Sequence, residues 1–259
     1  MWQDIKMLNA IANTLIGLAM LVLLAAGIWW IAQLPMFTLK EIRVQGEGQN
    51  EVRRVNPLTI RASALPRIKG NFFTTNLDTV RTAFESVPWV RKASVQREWP
   101  NQLVVNIEEY QPLGTWDDDG HLISTKGDIF IANMDEAEED GKLPVFSGPA
   151  GSEKDVVARL ADFKNWFGPL KLTPTEVNLS SRYAWSVKLD NGMEVQLGRE
   201  KNSMTLHDRA NRLVEIYPQL LERLQDRIES IDMRYANGLA LKASGLAIDS
   251  VSALKKKTK

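Results

Sequence analysis

Residues 90–108 read VRKASVQREWPNQLVVNIE, two strand-forming runs on either side of a turn. In Gln102–Glu108, Leu103, Val105 and Ile107 alternate with Gln102, Val104 and Asn106, which predicts a strand with one buried face. Val90–Glu98 is its partner across Trp99-Pro100-Asn101. Upstream, Pro88 stops a helix that Asn76 can cap and in which Leu77, Val80, Ala83/Phe84 and Val87 form one apolar stripe. Pro57–Leu65 reads as a shorter helix terminated by Pro66. Phe37–Val44 reads as a strand ending in the Gly46-Glu47-Gly48 turn. The order is therefore strand, helix, helix, strand, strand, a complete small α/β module.

Ahead of this module, no charged side chain occurs between Lys6 and Lys40. Its centre, Leu15–Ala32 (LIGLAMLVLLAAGIWWIA), spans roughly 27 Å as a helix, close to one hydrocarbon thickness. Trp29 and Trp30 lie at one end, where indoles favour the headgroup region, and Pro35 closes the segment. The apolar stretch exceeds that of a cleaved signal peptide and no small-x-small site follows it, so an uncleaved signal anchor is expected. No second run of this kind follows, which predicts a single-pass membrane protein. Lys6 precedes the helix whereas Lys40, Arg43, Arg53 and Arg54 follow it. Counted literally, these charges place the large domain in the cytoplasm, but the rule is weak for long translocated domains.

Past Pro112 the texture changes to short strands and tight turns: Thr115-Trp116, His121–Ser124 and Asp128–Ala132, then an acidic loop at Asp135–Asp140. Val156–Trp166 is amphipathic, and Leu206, Ala210, Leu213, Tyr217, Leu220 and Leu224 mark a second helix over 204–224. Trp185–Leu189 and Met193–Leu197 flank Asp190-Asn191-Gly192, a strong hairpin signal. Arg227–Tyr235 and Leu239–Lys242 supply final strands around Asn237-Gly238. The fold class expected is α+β: one transmembrane helix, a β-α-α-β-β module, then a mixed β-sheet domain with two helices.

Little in the chain points to chemistry. Lysine plus arginine balance aspartate plus glutamate at 32 each, so no net field recruits nucleic acid or acidic substrates. The absence of cysteine removes disulfides, thiolate metal sites and thiol nucleophiles. The two histidines, His121 and His207, stand without a nucleophile, phosphate-binding or zinc motif. Asp117-Asp118-Asp119-Gly120 is turn chemistry rather than a metal cluster. No catalytic, cofactor or metal residue is therefore expected. Trp99, Trp116, Trp166 and Trp185 read as core anchors. Arg227–Tyr235 is the last long strand, and a terminal strand is often an edge open to an added partner strand. Arg234 and Tyr235 are of residue types enriched at binding hot spots.

Taken in order, Val95-x-Arg97-x-Trp99-Pro100-x-x-Leu103-x-Val105, Glu109-x-x-Pro112-x-x-x-Trp116, Gly120-x-Leu122-Ile123-x-x-x-Gly127-x-x-Phe130, Leu143-Pro144, Gly148-Pro149, Arg182-x-x-Trp185-x-x-x-Leu189-x-Asn191-Gly192, Leu197-Gly198-Arg199, Arg212-Leu213 and Asp232-x-Arg234-Tyr235-x-x-Gly238 resemble the FtsQ/DivIB family of bacterial cell-division proteins. The resemblance covers nearly the whole chain. It implies a cytoplasmic tail (1–10), a transmembrane signal anchor (11–34), a POTRA domain (37–110) and a C-terminal β domain (111–243), while the polar, lysine-rich composition of 244–259 predicts a disordered tail. It also implies a type II orientation in the inner membrane at the division septum, against the charge count.

The implied role is a non-enzymatic divisome scaffold without cofactor, binding FtsB and FtsL through the β domain. FtsK, FtsW, FtsI and FtsN are the further partners implied, through the anchor or the POTRA domain. Arg199, Arg234, Tyr235 and Gly238 match the family's FtsB-binding surface. Beyond Gly238 the run Leu239–Ala243 lacks the aromatic residue that some members carry, so nothing further is assigned there. The alternatives are a POTRA protein of secretion or outer-membrane assembly, which would need a barrel or repeated modules, and a membrane-tethered cell-wall enzyme.

Overall fold

The computed structural model describes residues 2–49, 52–117, 120–202, 204–224, 228–235 and 238–244. The expected disordered tail lies almost wholly outside them, as do Asp118, Asp119, Arg227, Ala236 and Asn237. The chain divides into two compact units, residues 1–110 and 111–259.

The first unit begins with α1 (Trp2–Ala32), whose stretch Ile5–Ala32 is long and apolar enough to cross a membrane and has none of its apolar window buried. There follow β1 (Glu41–Gly46), α2 (Pro57–Ser63), α3 (Leu77–Glu85), β2 (Val90–Glu98) and β3 (Gln102–Glu109). The sheet order is β1-β3-β2, with β1 parallel and β2 antiparallel to the central β3. The alternation read in β3 is realised: Leu103, Val105 and Ile107 are fully buried while their neighbours are half-exposed.

α3 packs on β2 and presents Val80, Ala83 and Phe84 to the core. It starts where expected, the Asn76 side chain accepting the N–H of Asp78 and Thr79. Asn56 caps α2 through Leu58 N–H. The Glu109 carboxylate at the end of β3 accepts the backbone N–H of Arg53, Arg54 and Val55, tying the loop before α2 to the sheet. β1 starts later than expected because Pro35–Phe37 form a 3-10 turn that buries Phe37. Trp99 is 65% exposed and is not the core anchor expected from the sequence. It sits at the tip of the β2–β3 turn, in contact with the rings of Phe37, Phe72 and Phe73.

The second unit contains β4 (Pro112–Trp116), β5 (His121–Ser124), β6 (Ile129–Phe130), α4 (Met134–Ala137), β7 (Val145–Ser147), α5 (Glu153–Phe167), β8 (Pro174–Leu179), β9 (Ala184–Leu189), β10 (Glu194–Arg199), α6 (Thr205–Leu224), β11 (Ile228–Asp232) and β12 (Ala240–Ala243). They form a nine-stranded mixed sheet, β12-β11-β10-β9-β8-β7-β4-β5-β6. α5 and α6 pack on it and on each other, burying Val156, Leu160, Phe163 and Phe167 from one and Leu206, Ala210, Leu213 and Tyr217 from the other. Phe163 is the centre of this layer, in ring contact with Trp166, Phe167 and Trp185.

The hairpin around Asn191-Gly192 joins β9 and β10 as read, with Gly192 at a φ of 84°. At Gly114 any side chain is excluded, since a Cβ would lie 2.2 Å from Phe146 Cε2 and 2.3 Å from the Pro144 carbonyl oxygen. Two strands, β7 and β8, appear where none was read. The acidic loop at 135–140 opens with the single turn of α4, capped by the Asn133 side chain on Asp135 N–H.

A principal correction concerns the edge. β11 stops at Asp232 and is flanked on both sides, pairing in parallel with β10 and antiparallel with β12. The expected edge strand Arg227–Tyr235 is therefore interior to the sheet, and Arg234 and Tyr235 belong to the β11–β12 connection. Among the described residues the sheet ends instead at β12.

Candidate partner-binding edge

Four residues make β12, and they alternate in exposure: Ala240 and Lys242 face solvent while Leu241, with Leu239 before it, packs on the core cluster. That inward anchoring by leucine fixes which backbone edge is left over. On one side β12 is bonded to β11 in the register Asp232↔Ala240, Ile231↔Leu241 and Ser230↔Lys242. Across this pair Lys242 Nζ reaches Glu229 at 2.7 Å, and the Glu229 carboxylate raises the lysine pKa. On its other side no strand follows among the described residues. Among the described residues the N–H and C=O groups on that side have no strand partner, the arrangement that strand addition uses.

Beside this edge, the ends of β10 and β11 are held from α6 by two arginines. Arg209 Nη1 donates to the carbonyls of Leu197 at 2.6 Å and Arg199 at 3.0 Å. Arg212 Nη2 donates to those of Met233 at 3.2 Å and Tyr235 at 2.9 Å. Both side chains sit beside the buried stripe of α6, at i and i+3 on the same turn. Neither stood out in the sequence as a site residue, because polar groups next to an apolar stripe ordinarily face water. Their spacing next to Ala210 and Leu213 was the available signal.

Arg234 lies directly over Gly198: a Cβ on that glycine would be 2.7 Å from Arg234 Cγ. Its guanidinium is a fork on Asp232, with Nη2 at 2.6 Å from Oδ2 and Nε at 2.9 Å from Oδ1. The backbone N–H of Arg234 also donates to Asp232 Oδ1 at 3.0 Å. The side-chain bonds from Arg234 hold the Asp232 carboxyl below the usual carboxylate range, with a smaller contribution in the same direction from Arg209. Asp232 is largely covered whereas Arg234 is exposed, and the fork on Asp232 uses two of the five guanidinium N–H donors.

Arg199, at the end of β10, is exposed and has no ion-pair partner among the described residues. It borders an open depression of about 490 Å³ with Tyr183, Trp185, Arg159 and Glu200. There Arg159 lies over the Trp185 ring at 5.6 Å and donates to Glu200 at 2.8 Å. Tyr235 is 57% exposed. A Cβ added at Gly238 would meet nothing within 4 Å, so the chain's own contacts do not require glycine there.

Arg199, Arg234 and Tyr235 therefore lie at the same end of the neighbouring strands β10 and β11, and β12 is the next strand outward. Arg199 from β10 and Arg209 and Arg212 from α6 join Arg234 there, with Asp232 as a carboxylate among them. Among the described residues no group of three histidine, cysteine, aspartate or glutamate side chains could hold a metal ion. His207 rests edge-on against Trp166 and bonds to Asn211, with no nucleophile in either contact.

A β-α-α-β-β unit with β1 parallel to β3, preceded by a helix of membrane-spanning length and followed by a nine-stranded mixed sheet, defines a POTRA protein with an appended β domain. The matching family models agree: "POTRA domain, FtsQ-type" over residues 37–110 and "Cell division protein FtsQ/DivIB, C-terminal" over 114–234. Among similar proteins, the cell division protein FtsQ of Burkholderia pseudomallei is 52% identical over 246 residues, 95% of this chain and 96% of that one. FtsQ of Bordetella pertussis is 42% identical over 99% of this chain and 98% of its own, and FtsQ of Coxiella burnetii 29% over 92% and 94%. The chain belongs to the FtsQ/DivIB family of cell division proteins. The C-terminal family match ends at Arg234, so β12 lies beyond it.

Proposed function

We propose that the chain is a non-enzymatic scaffold of the bacterial divisome that receives an extended segment of FtsB, in complex with FtsL, on the open edge of β12. Under this reading α1 spans the inner membrane with the N-terminus in the cytoplasm and both folded units in the periplasm, at the division septum. FtsK, FtsW, FtsI and FtsN engage α1 or the POTRA unit. The observation that carries the reading is the position of β12: a short strand, pinned to the core by Leu241, at the end of a nine-stranded sheet beside a cationic corner.

Magnitudes indicate how the work is divided. Four edge residues present about two outward N–H and two outward C=O groups, since alternate residues face away from β11. At about 0.5–1.5 kcal/mol net each, these supply roughly 2–6 kcal/mol, a dissociation constant no tighter than tens of micromolar before association costs. Side chains must contribute the remainder. Arg199, without an internal carboxylate, is the group best able to take a partner acid in charge-assisted bonds. Arg234 is already oriented by Asp232, and Tyr235 offers apolar area with a polar tip.

The test is binding of residues 37–259 to the periplasmic part of FtsB–FtsL by calorimetry. Arg199→Glu, Arg234→Glu and Tyr235→Ala are each expected to weaken the complex at least tenfold with the far-UV spectrum retained. Full-strength binding by all three would remove the corner from the interface. Cells depleted of the protein are expected to form filaments with unfinished septa; normal division would favour the secretion reading.

A further inference from the structure

Four aromatic rings cluster at the end of α1. Phe37 contacts Phe73 at 4.9 Å and Trp99 at 5.8 Å between centroids, and Phe72 contacts Phe73 at 5.2 Å and Trp99 at 5.7 Å. Phe37 and Phe72 are buried, but Phe73 is 47% and Trp99 65% exposed. Met36 beside them is 56% exposed. Half of the cluster is thus core and half is an uncovered apolar surface, on a unit whose other large apolar side chains past α1 mostly face inward.

Its place is fixed by hydrogen bonds. Asn71 Nδ2 donates to the carbonyl of Ala32, the last residue of α1, at 2.8 Å. Phe72 N–H donates to the Phe37 carbonyl at 2.9 Å, and Arg97 donates to the carbonyls of Phe72 and Thr75 at 2.7 Å each. The loop carrying Phe72 and Phe73 is therefore tied to the exit of the apolar helix on one side and to β2 on the other. Lys40, whose backbone N–H donates to Asn101 in the Trp99 turn, and Lys69 are exposed cations flanking the rings.

We propose that Phe73 and Trp99 insert into the headgroup layer of the bilayer that α1 enters, docking the POTRA unit on the lipid surface beside its own anchor. The occupant follows from continuity: a helix that spans the hydrocarbon ends at the interface, and rings tied to its last carbonyl lie in the adjoining layer of roughly 5–8 Å. Amphipathic indole, an exposed phenylalanine and flanking lysines are the composition that this layer favours. The docking limits the unit's freedom to pivot about residues 33–36.

The inference rests on α1 spanning the membrane, so its test measures both. Because the chain has no cysteine, a single introduced one can carry a nitroxide uniquely. Full-length protein is placed in nanodiscs of zwitterionic and anionic phospholipid and labelled at Phe73→Cys, at Trp99→Cys or, within α1, at Leu21→Cys. Collision with oxygen and with a water-soluble nickel chelate is then compared. Both exposed-ring positions are expected to show an oxygen-to-nickel ratio several-fold above that of an aqueous label, and below that of position 21. Aqueous values at 73 and 99 with position 21 immersed would overturn the docking alone. Aqueous values at all three would overturn the anchor as well. Low accessibility to both reagents at 73 and 99 would mean a protein contact in place of lipid, and would equally refute the proposal.

Discussion

Replacing Gly198 by alanine tests whether the corner of the sheet acts through Arg234. Gly198 stands at a φ of 75°, in the left-handed region, at the irregular point where β10 meets β9. An alanine there costs about 1–2 kcal/mol from backbone strain. The new Cβ would also lie 2.7 Å from Arg234 Cγ and 3.1 Å from Cδ, so the arginine stem has to move and its fork on Asp232 opens. That partly exposed pair contributes on the order of 0.2–1 kcal/mol. The expected loss is therefore about 1–3 kcal/mol, read as a lower urea midpoint with unchanged slope. Partner binding should weaken in parallel.

The two contributions separate in a double-mutant cycle with Arg234→Ala. In the Arg234→Ala background the steric part vanishes, so Gly198→Ala should retain its backbone cost but have little remaining effect on binding. Strict additivity of the two substitutions in binding would refute the argument that Gly198 is needed to seat Arg234.

Asp232→Asn should lower stability by roughly 0.5–1 kcal/mol at neutral pH, because it removes the charge that Arg234 holds. Since the folded pKa of Asp232 is depressed, this contribution is present above the unfolded value near 3.9 and is lost as pH falls through the lower folded value, so the two proteins should converge in acid. Phe163→Ala, in a fully buried site lined by Trp166, Phe167 and Trp185, should cost about 3–5 kcal/mol and lower the melting of the second unit while the far-UV signal of the first is retained. Leu241→Pro and Lys242→Pro sit at adjacent positions of β12 whose N–H groups point to opposite sides. One should disrupt pairing with β11, and the other should leave the urea midpoint in place while reducing partner binding at least tenfold; wild-type binding by both would exclude the edge.

The elements legible from sequence are those whose signal is local. β3 alternates over its whole length, Asn76 caps where its side chain can reach the second and third N–H, and Asn191-Gly192 marks its hairpin. β7 is three residues long and exists because β4 and β8 flank it in parallel, a nonlocal cause without a local pattern. β8 buries Val177 and Leu179 among polar residues, too few for an alternation to stand out. The sheet order was equally hidden. Position near the chain end suggested that β11 was an edge, but the strand expected at Leu239–Lys242 forms as Ala240–Ala243 and pairs with it, a nonlocal contact that the sequence does not assign. For the candidate site, motif resemblance pointed to Arg199, Arg234 and Tyr235, and the fold gathers them at one corner. The supporting pair Arg209 and Arg212 depends on carbonyls at the ends of two strands that only the folded sheet places beside α6.

The most direct measurement is amide hydrogen exchange of residues 37–259, alone and with the periplasmic part of FtsB–FtsL. If an extended partner strand adds to β12, protection should appear at alternate amides within Ala240–Ala243, those not already bonded to β11. Unchanged exchange across 240–243 in a saturated complex would contradict the account.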